Sequence, residues 1–288
     1  MAREKQENLT EEPLSPVSQL FVSPCNSTAI VESINNTWIK LPRFSSKVVM
    51  DDKKNGKAVW VPVSTRVEDD VVVPDLDYSN IENPDEFIED YTSHLANNPM
   101  DVSRPLWEFH VLNIKTSNAE SFGIGKFHHS LGDGMSLMSL LYASSRKTSD
   151  PSFSYYCDYK KTWILKLFLL SRKVIHRIIS LDDVKFVKNT MNVKVNDVFL
   201  GMTQAGLSKY LSKKYDDENP VAVNKKQILN KPRLRGTIAV NLRPAIKIEV
   251  VEAIAKRMFG RTTVTFSNVL GPNEDISFFN HPMLDYTK

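Results

Sequence analysis

Cysteine is nearly absent from this chain: Cys25 and Cys157 are the only two in 288 residues. Two thiols cannot build a disulfide framework. Neither stands in a Cys-x-x-Cys or Cys/His cluster, so metal ligation is not expected and both read as reduced structural thiols of a cytosolic protein. Charge of one sign is lacking too. The net charge of +3, with no Arg-rich tract, excludes nucleic acid as an expected partner. No hydrophobic run is long enough to span a bilayer, which takes ~20 mostly apolar residues. The segment Met1–Asn8 is charged with no apolar run behind it, so neither a secretory signal nor a transit peptide is expected. The sequons at Asn8, Asn26 and Asn35 therefore carry little weight. No internal repeat is visible, and no Gly-x-Ser-x-Gly elbow supports a serine hydrolase.

What is present is ordinary globular composition, 41% hydrophobic and 25% charged, in a chain long enough for one large or two medium domains. The first dozen residues are polar and read as loose. From Glu12 to about Arg43 the pattern is short and broken by Pro13, Pro16, Pro24 and Pro42. Val59, Val61 and Val63 alternate as a strand does, and Val71–Val73 is a second short strand. Asn83-Pro84-Asp85-Glu86 predicts a helix start, with a capping side chain, proline at the first position and acids at the positive end of the dipole. Phe87, Ile88, Tyr91 and Leu95 follow at helical spacing. Strands over 106–114 and 121–128 form a predicted hairpin, and a helix is expected from about Met135 to Ser145.

Lys160, Lys161, Lys166, Arg172, Lys173 and Arg177 then accumulate with no acid between Tyr159 and Ser180. Such a basic segment, with Trp163, Leu167, Leu170 and Val174 on one face if helical, suits either an anionic membrane surface or a linker helix. Ser180 with Asp183 predicts another helix start. A long helix from near Asn196 and strands over 234–242 and 262–269 complete the chain. Strands alternating with helices in two halves predict an α/β (α+β) protein of two subdomains. The boundaries are 12–150, a basic linker over 151–173, and 174–288.

The densest chemistry is His128-His129-Ser130-Leu131-Gly132-Asp133-Gly134 at a strand-to-helix turn. Adjacent side chains on a strand point to opposite faces, so at most one imidazole faces a substrate. Asp133 lies across a turn that Gly132 and Gly134 can tighten, where a carboxylate can hold the loop or orient an imidazole. A neutral histidine with a reference pKa of ~6.5 suits a general base taking a hydroxyl proton. A structural or metal-binding histidine pair is the alternative.

His128-His129-x-x-x-Asp133-Gly134 resembles the motif of the coenzyme A-dependent acyltransferase superfamily, which includes condensation domains and chloramphenicol acetyltransferase. Four further stretches resemble signatures of its wax ester synthase/diacylglycerol acyltransferase branch: Pro105-Leu106-Trp107-Glu108, Asn196-Asp197-Val198, Val240-Asn241-Leu242-Arg243, and Ser267-Asn268-Val269-Leu270-Gly271-Pro272. Phe278-Phe279-Asn280-His281-Pro282 resembles the stretch that follows them in plant members. The resemblance covers nearly all the chain from Glu12 onward. It implies a chloramphenicol acetyltransferase-like fold, and transfer of a fatty acyl group from acyl-CoA, as co-substrate with no bound cofactor or metal, to a long-chain alcohol or diacylglycerol. It makes His129 the base, with His128 beside it. Asp133 is structural, and Gly134 opens the helix N-terminus to negative charge. Pro105, Leu106 and Trp107 shape an acyl channel or pack, and Asn268 contributes from the second half. Arg243 partners a carboxylate or stays solvated. The implied location is the cytosolic face of the endoplasmic reticulum membrane, or the plasma membrane, with peripheral membrane contact.

The chain departs from this family by internal shortening. The helix between Ser27 and Pro42 looks largely absent, the linker over 150–172 is cut down, and only 245–266 connects two C-terminal strands. The fold is expected to be incomplete. A catalytically impaired relative that binds acyl-CoA, membrane or a full-length partner is the competing expectation. A plant acyltransferase of phenolic or alkaloid acceptors is disfavoured because its Asp-Phe-Gly-Trp-Gly signature is missing.

Overall fold

In the computed structural model the described residues are 14–51, 57–128, 130–132, 134–154, 173–218, 236–238, 264–266 and 275–283. They fall into two compact units, one within 1–176 together with 271–286, the other within 177–270.

The first unit is built on a four-stranded sheet in the order β1 (Leu14–Phe21), β6 (Ser121–His128), β5 (Trp107–Leu112), β4 (Val71–Val72). β1 and β5 run antiparallel to β6, whereas β4 is parallel to β5. Helix α1 (Ser27–Asn36) follows β1, and β2 (Ser46–Asp51) pairs with β3 (Lys57–Pro62). Helix α2 is Pro84–Asn97 and helix α3 is Gly134–Ala143. A second sheet joins β7 (Ser145–Lys147) and β8 (Asp150–Ser154) to β11 (Ile276–Phe278) and β12 (His281–Pro282) from the far end of the chain.

Two features correct the reading of 12–43 as broken. The prolines do not prevent β1, because it lies at the sheet edge, where a missing N–H is tolerated. The helix expected to be absent is present as α1. Asn26 caps it, its Oδ1 accepting from Thr28 N–H at 2.9 Å, and Ile30 and Ile34, one turn apart, are both fully buried.

β5 and β6 divide two cores by strand alternation. Trp107, Phe109, Val111 and Phe127 face a large aromatic core with Phe21, Trp38, Phe44, Phe278 and Phe279. Leu112, Phe122 and Ile124 face a smaller one with Ile88 and Leu95 of α2. Trp38 is the hub of the larger core, with ring centroids 5.3 Å from Trp107, 5.4 Å from Phe127 and 5.7 Å from Phe279. Gly123 makes room for it: a Cβ there would stand 2.7 Å from Phe109 Cζ and 2.9 Å from Phe21 Cε2.

The β11–β12 turn places Phe279 and Asn280 at φ of 50° and 64°. Positive φ at both positions suits a two-residue hairpin, though it strains a phenylalanine by about 1–3 kcal/mol. Burial of the Phe279 ring at 4.0 Å from Phe278 offsets that strain.

The second unit contains α4 (Leu181–Met191), α5 (Val195–Glu218) and a parallel pair, β9 (Gly236–Ile238) with β10 (Val264–Phe266). Ser180 caps α4 by accepting from Asp183 N–H, as its sequence predicts, and Asn192 ends it at φ 52°. In these helices the buried apolar side chains among the described residues are Val184 and Val198. The basic segment over 155–172 lies outside the described residues.

Candidate functional site

Strand β6 ends at His128 and α3 begins at Gly134, so five residues lie between them, of which 130–132 are described. The His128 imidazole is 2% exposed. Its Nδ1 receives the Ser130 backbone N–H at 3.1 Å and lies 2.6 Å from Ser130 Oγ. A backbone N–H can only donate, so Nδ1 is unprotonated, and the neutral ring carries its proton on Nε2. Leu131 is fully buried in the aromatic core, and its N–H returns to His128 C=O at 2.9 Å. The turn is thereby closed on itself and anchored at its apex.

Two other stretches grip this turn. His128 N–H donates to Leu106 C=O at 3.1 Å, linking the His-His sequence to Pro105-Leu106-Trp107 through the backbone. Trp107 Nε1 donates to Phe44 C=O at 2.9 Å. The neighbouring Arg43 sends Nη1 to Ser130 C=O at 2.9 Å and Leu131 C=O at 3.2 Å, with its guanidinium 5.6 Å from the Trp60 ring centroid. Pro42-Arg43-Phe44, Pro105-Leu106-Trp107 and the histidine turn are therefore one assembly. Helix α3 is fixed at its other end, where Trp38 Nε1 donates to Ser144 Oγ at 2.8 Å.

On the α2 side of the sheet lies a charged cluster. Lys126, two residues before His128 on the same face of β6, is 3% exposed in its side chain, and its ammonium lies 3.3 Å from Glu108 Oε2. His110 Nε2 donates to that oxygen at 3.2 Å, and His110 Nδ1 lies 2.8 Å from Tyr91 Oη. Burial pushes the Glu108 carboxyl up, but the His110 hydrogen bond and the Lys126 charge outweigh it and hold the carboxyl below its usual range. Elsewhere, burial raises Asp70 to about 6 even though Arg104 Nη2 lies 2.7 Å from Oδ1. Burial likewise pushes the Cys25 thiol up to about 11, against a hydrogen bond with Ser121.

Of the residues singled out by sequence, His128 sits at the strand end and Gly134 opens α3. Pro105, Leu106 and Trp107 are buried, the last two with no solvent-exposed surface. His129, Asp133, Asn268 and Arg243 lie outside the described residues. Among the described residues no group of three or more His, Cys, Asp or Glu side chains is placed to hold a metal ion. No described helix is long and apolar enough to cross a membrane. Sequence reasoning missed the Arg43 grip and the Lys126–Glu108 pair. The pair had a usable signal, since two opposite charges face each other in the predicted hairpin. Arg43 had none beyond its place in Pro42-Arg43-Phe44.

Comparison with known proteins gives a consistent result. The family model of the wax ester synthase/diacylglycerol acyltransferase catalytic domain matches residues 18–158, and that of the WS/DGAT C-terminal domain matches 224–287. Wax ester synthase/diacylglycerol acyltransferase 3 of Arabidopsis thaliana is 49% identical over 415 residues, covering 98% of this chain and 84% of that protein. Number 1 of the same plant is 42% identical over 401 residues, covering 94% and 83%. An aligned span of 415 residues exceeds the 288 of this chain, so this relative carries well over a hundred residues within the span that have no counterpart here. Among solved structures, the wax ester synthase/diacylglycerol acyltransferase from Marinobacter aquaeolei VT8 superposes with a TM-score of 0.64 at 17% identity, covering 95% of this chain and 81% of that one. That likeness establishes a shared fold.

Proposed function

This chain belongs to the wax ester synthase/diacylglycerol acyltransferase family, and from that premise we propose that it moves a fatty acyl group from acyl-CoA to the hydroxyl of a long-chain alcohol or diacylglycerol. The observation that carries the reading is the anchored turn after β6, held by Leu106 C=O, Arg43 and buried Leu131. A base carried on such a turn is positioned before substrate arrives, which is where effective molarity comes from.

In this reading His129, neutral near pH 7, takes the proton of the acceptor hydroxyl as its oxygen attacks the thioester carbonyl. The C–O bond forms, the C–S bond breaks, and the proton passes to the departing coenzyme A sulfur. Asp133 holds the turn, and N–H groups at the start of α3, opened by Gly134, stabilise the developing oxyanion. His128, with Nδ1 committed to Ser130, fixes the strand end. Pro105, Leu106 and Trp107 support the turn from the core, and Asn268 is the polar residue proposed to contribute from the second half. Because both acceptors partition into lipid, the same reading puts the protein in peripheral contact with the cytosolic face of the endoplasmic reticulum membrane, or with the plasma membrane.

The test is ester synthesis by the purified chain from palmitoyl-CoA with hexadecanol or dioleoylglycerol. His129→Ala is expected to lower turnover by about 10²–10⁴. The better acceptor separates wax ester from triacylglycerol synthesis. A second reading, a catalytically impaired relative, is favoured by the internal shortening and by the apolar side chains exposed on α4 and α5. A folded sample that makes no ester with either acceptor selects it.

A further inference from the structure

Leu106, whose carbonyl receives the His128 N–H, is gripped on either side by one short segment. Before it, Arg104 reaches across with Nη2, which donates to Asp69 C=O at 2.6 Å and to Asp70 Oδ1 at 2.7 Å. After it, Phe109 N–H donates to Asp70 C=O at 2.9 Å. The segment is itself anchored. Val67, at the start of a 3₁₀ turn over Val67–Asp69, is buried in the aromatic core, and Asp70 N–H closes on Val67 C=O at 3.0 Å. Between the two grips Pro105 has a fixed φ and no N–H to give, so the backbone from Arg104 to Phe109 has little freedom left.

Stability alone does not explain this arrangement. The Asp70 side chain is 3% exposed, and its Oδ2 has no hydrogen-bond partner among the described residues. A buried carboxylate oxygen left without a donor destabilises a fold. The charges around it give little relief. Asp69 on its own turn and Glu108 on β5 both repel it, and Glu108 is already paired with Lys126 and His110. Arg104 attracts it, with a side chain 45% exposed. What a full negative charge does here, and a neutral side chain would do less well, is keep a half-exposed guanidinium from turning to solvent. Local departures from the rules of stable packing concentrate where function depends on geometry.

We propose that Arg104, held by Asp70, is a positioning residue for acyl transfer: the pair sets Leu106, and through the Leu106 carbonyl it fixes the strand end from which the His128-His129 turn departs. Neither side chain touches substrate in this role. The inference rests on the reading of that turn as the seat of acyl transfer. It adds a support distinct from Arg43, which grips the carbonyls of the turn itself.

The experiment takes two readouts on the full chain. With ¹⁵N-labelled histidine, exchange of the His128 amide with solvent reports its bond to Leu106 C=O whether or not ester is made, and the His94 amide of α2 is the internal reference. In Arg104→Gln the His128 amide should exchange about tenfold faster with His94 unchanged, and kcat for ester synthesis should fall about tenfold at an unaltered KM. Arg104→Lys, which keeps a charged donor able to make both bonds, should recover most of each. Asp70→Asn should move both readouts the same way while being no less stable to urea than the parent at pH 7, a combination that a merely structural residue does not give. Burial raises the Asp70 carboxyl to about 6, so lowering the pH through that value should reduce protection of the His128 amide in the parent and leave it unchanged in Asp70→Asn. Lys115→Gln, in an exposed ion pair beyond the end of β5, should change neither readout. Parent-like protection of His128 in Arg104→Gln overturns the proposal, and so does a parent-like kcat. A parent chain that makes no ester refutes the catalytic reading instead, and amide exchange then decides by itself whether Arg104 sets the strand end.

Discussion

Lys126 is a buried cation whose ammonium lies 3.3 Å from Glu108, and the consequence is asymmetric. Glu108→Gln leaves the cation buried without a counter-charge, which is expected to destabilise the first unit by about 3 kcal/mol. Adding Lys126→Met to that variant should restore much of the loss, a coupling that urea titration of the four chains measures directly. The pH dependence has a definite sign. Glu108 titrates below its ordinary value in the fold, so its contribution is present above that value and is lost as pH falls through the depressed one. Asp70 runs the other way. Its carboxyl is raised to about 6 from an ordinary 3.8, so between those values the folded chain holds more protons than the unfolded one, and stability falls as pH rises. Urea midpoints compared between the parent chain and Asp70→Asn should therefore shift in favour of the variant from pH 4 to 6. Parallel curves would contradict this assignment. The buried Asp70 Oδ2, which has no hydrogen-bond partner, supplies the physical reason.

At the scale of elements, the histidine turn depends on a residue far from it in sequence. Arg43→Ala removes two hydrogen bonds to the turn's carbonyls while leaving its core anchor Leu131 in place. The expected result is an intact fold with kcat lowered about a hundredfold, since small misplacements of a reacting group cost that much. A variant whose kcat is unchanged while its thermal stability drops would make Arg43 a purely structural residue. This element also shows what a sequence can disclose. The β5–β6 hairpin was legible because the polar stretch over 115–120 separates two strand-like runs, and α2 because Asn83-Pro84 caps it, with Asn83 Oδ1 accepting from Glu86 N–H at 3.3 Å. β1 and α1 were not, since prolines masked one and the other shows only Ile30 and Ile34 as a buried pair. Arg43 was illegible for a different reason: its partners are backbone carbonyls 87 and 88 residues away, and a carbonyl has no residue type. The His-His-x-x-x-Asp-Gly sequence, by contrast, stood out by composition alone, though His129 and Asp133 themselves lie outside the described residues.

At the scale of the molecule the two units differ in how much they bury. Trp38, Trp107 and four phenylalanines of the first unit, Phe21, Phe44, Phe109 and Phe278, have no exposed surface, whereas α4 and α5 each bury one valine among their described apolar side chains. Backbone amides of α4 and α5 are accordingly expected to exchange with solvent at least tenfold faster than those of β5 and β6, read by hydrogen–deuterium exchange with mass spectrometry. Comparable protection in both would mean that the helices are covered in solution. The first unit, for its part, is closed by residues from opposite ends of the chain. β11 pairs with β7, Phe278 and Phe279 enter the aromatic core, and Val22 N–H donates to Pro282 C=O at 3.2 Å. A ribosome delivers those last strands more than a hundred residues after β7 has emerged. Throughout that interval a nascent chain shows its aromatic interior to solvent, and a premature stop anywhere before Ile276 leaves it so. The second unit is thus a clock as well as a module: its length sets how long the first must wait, in the company of chaperones, before it can finish folding.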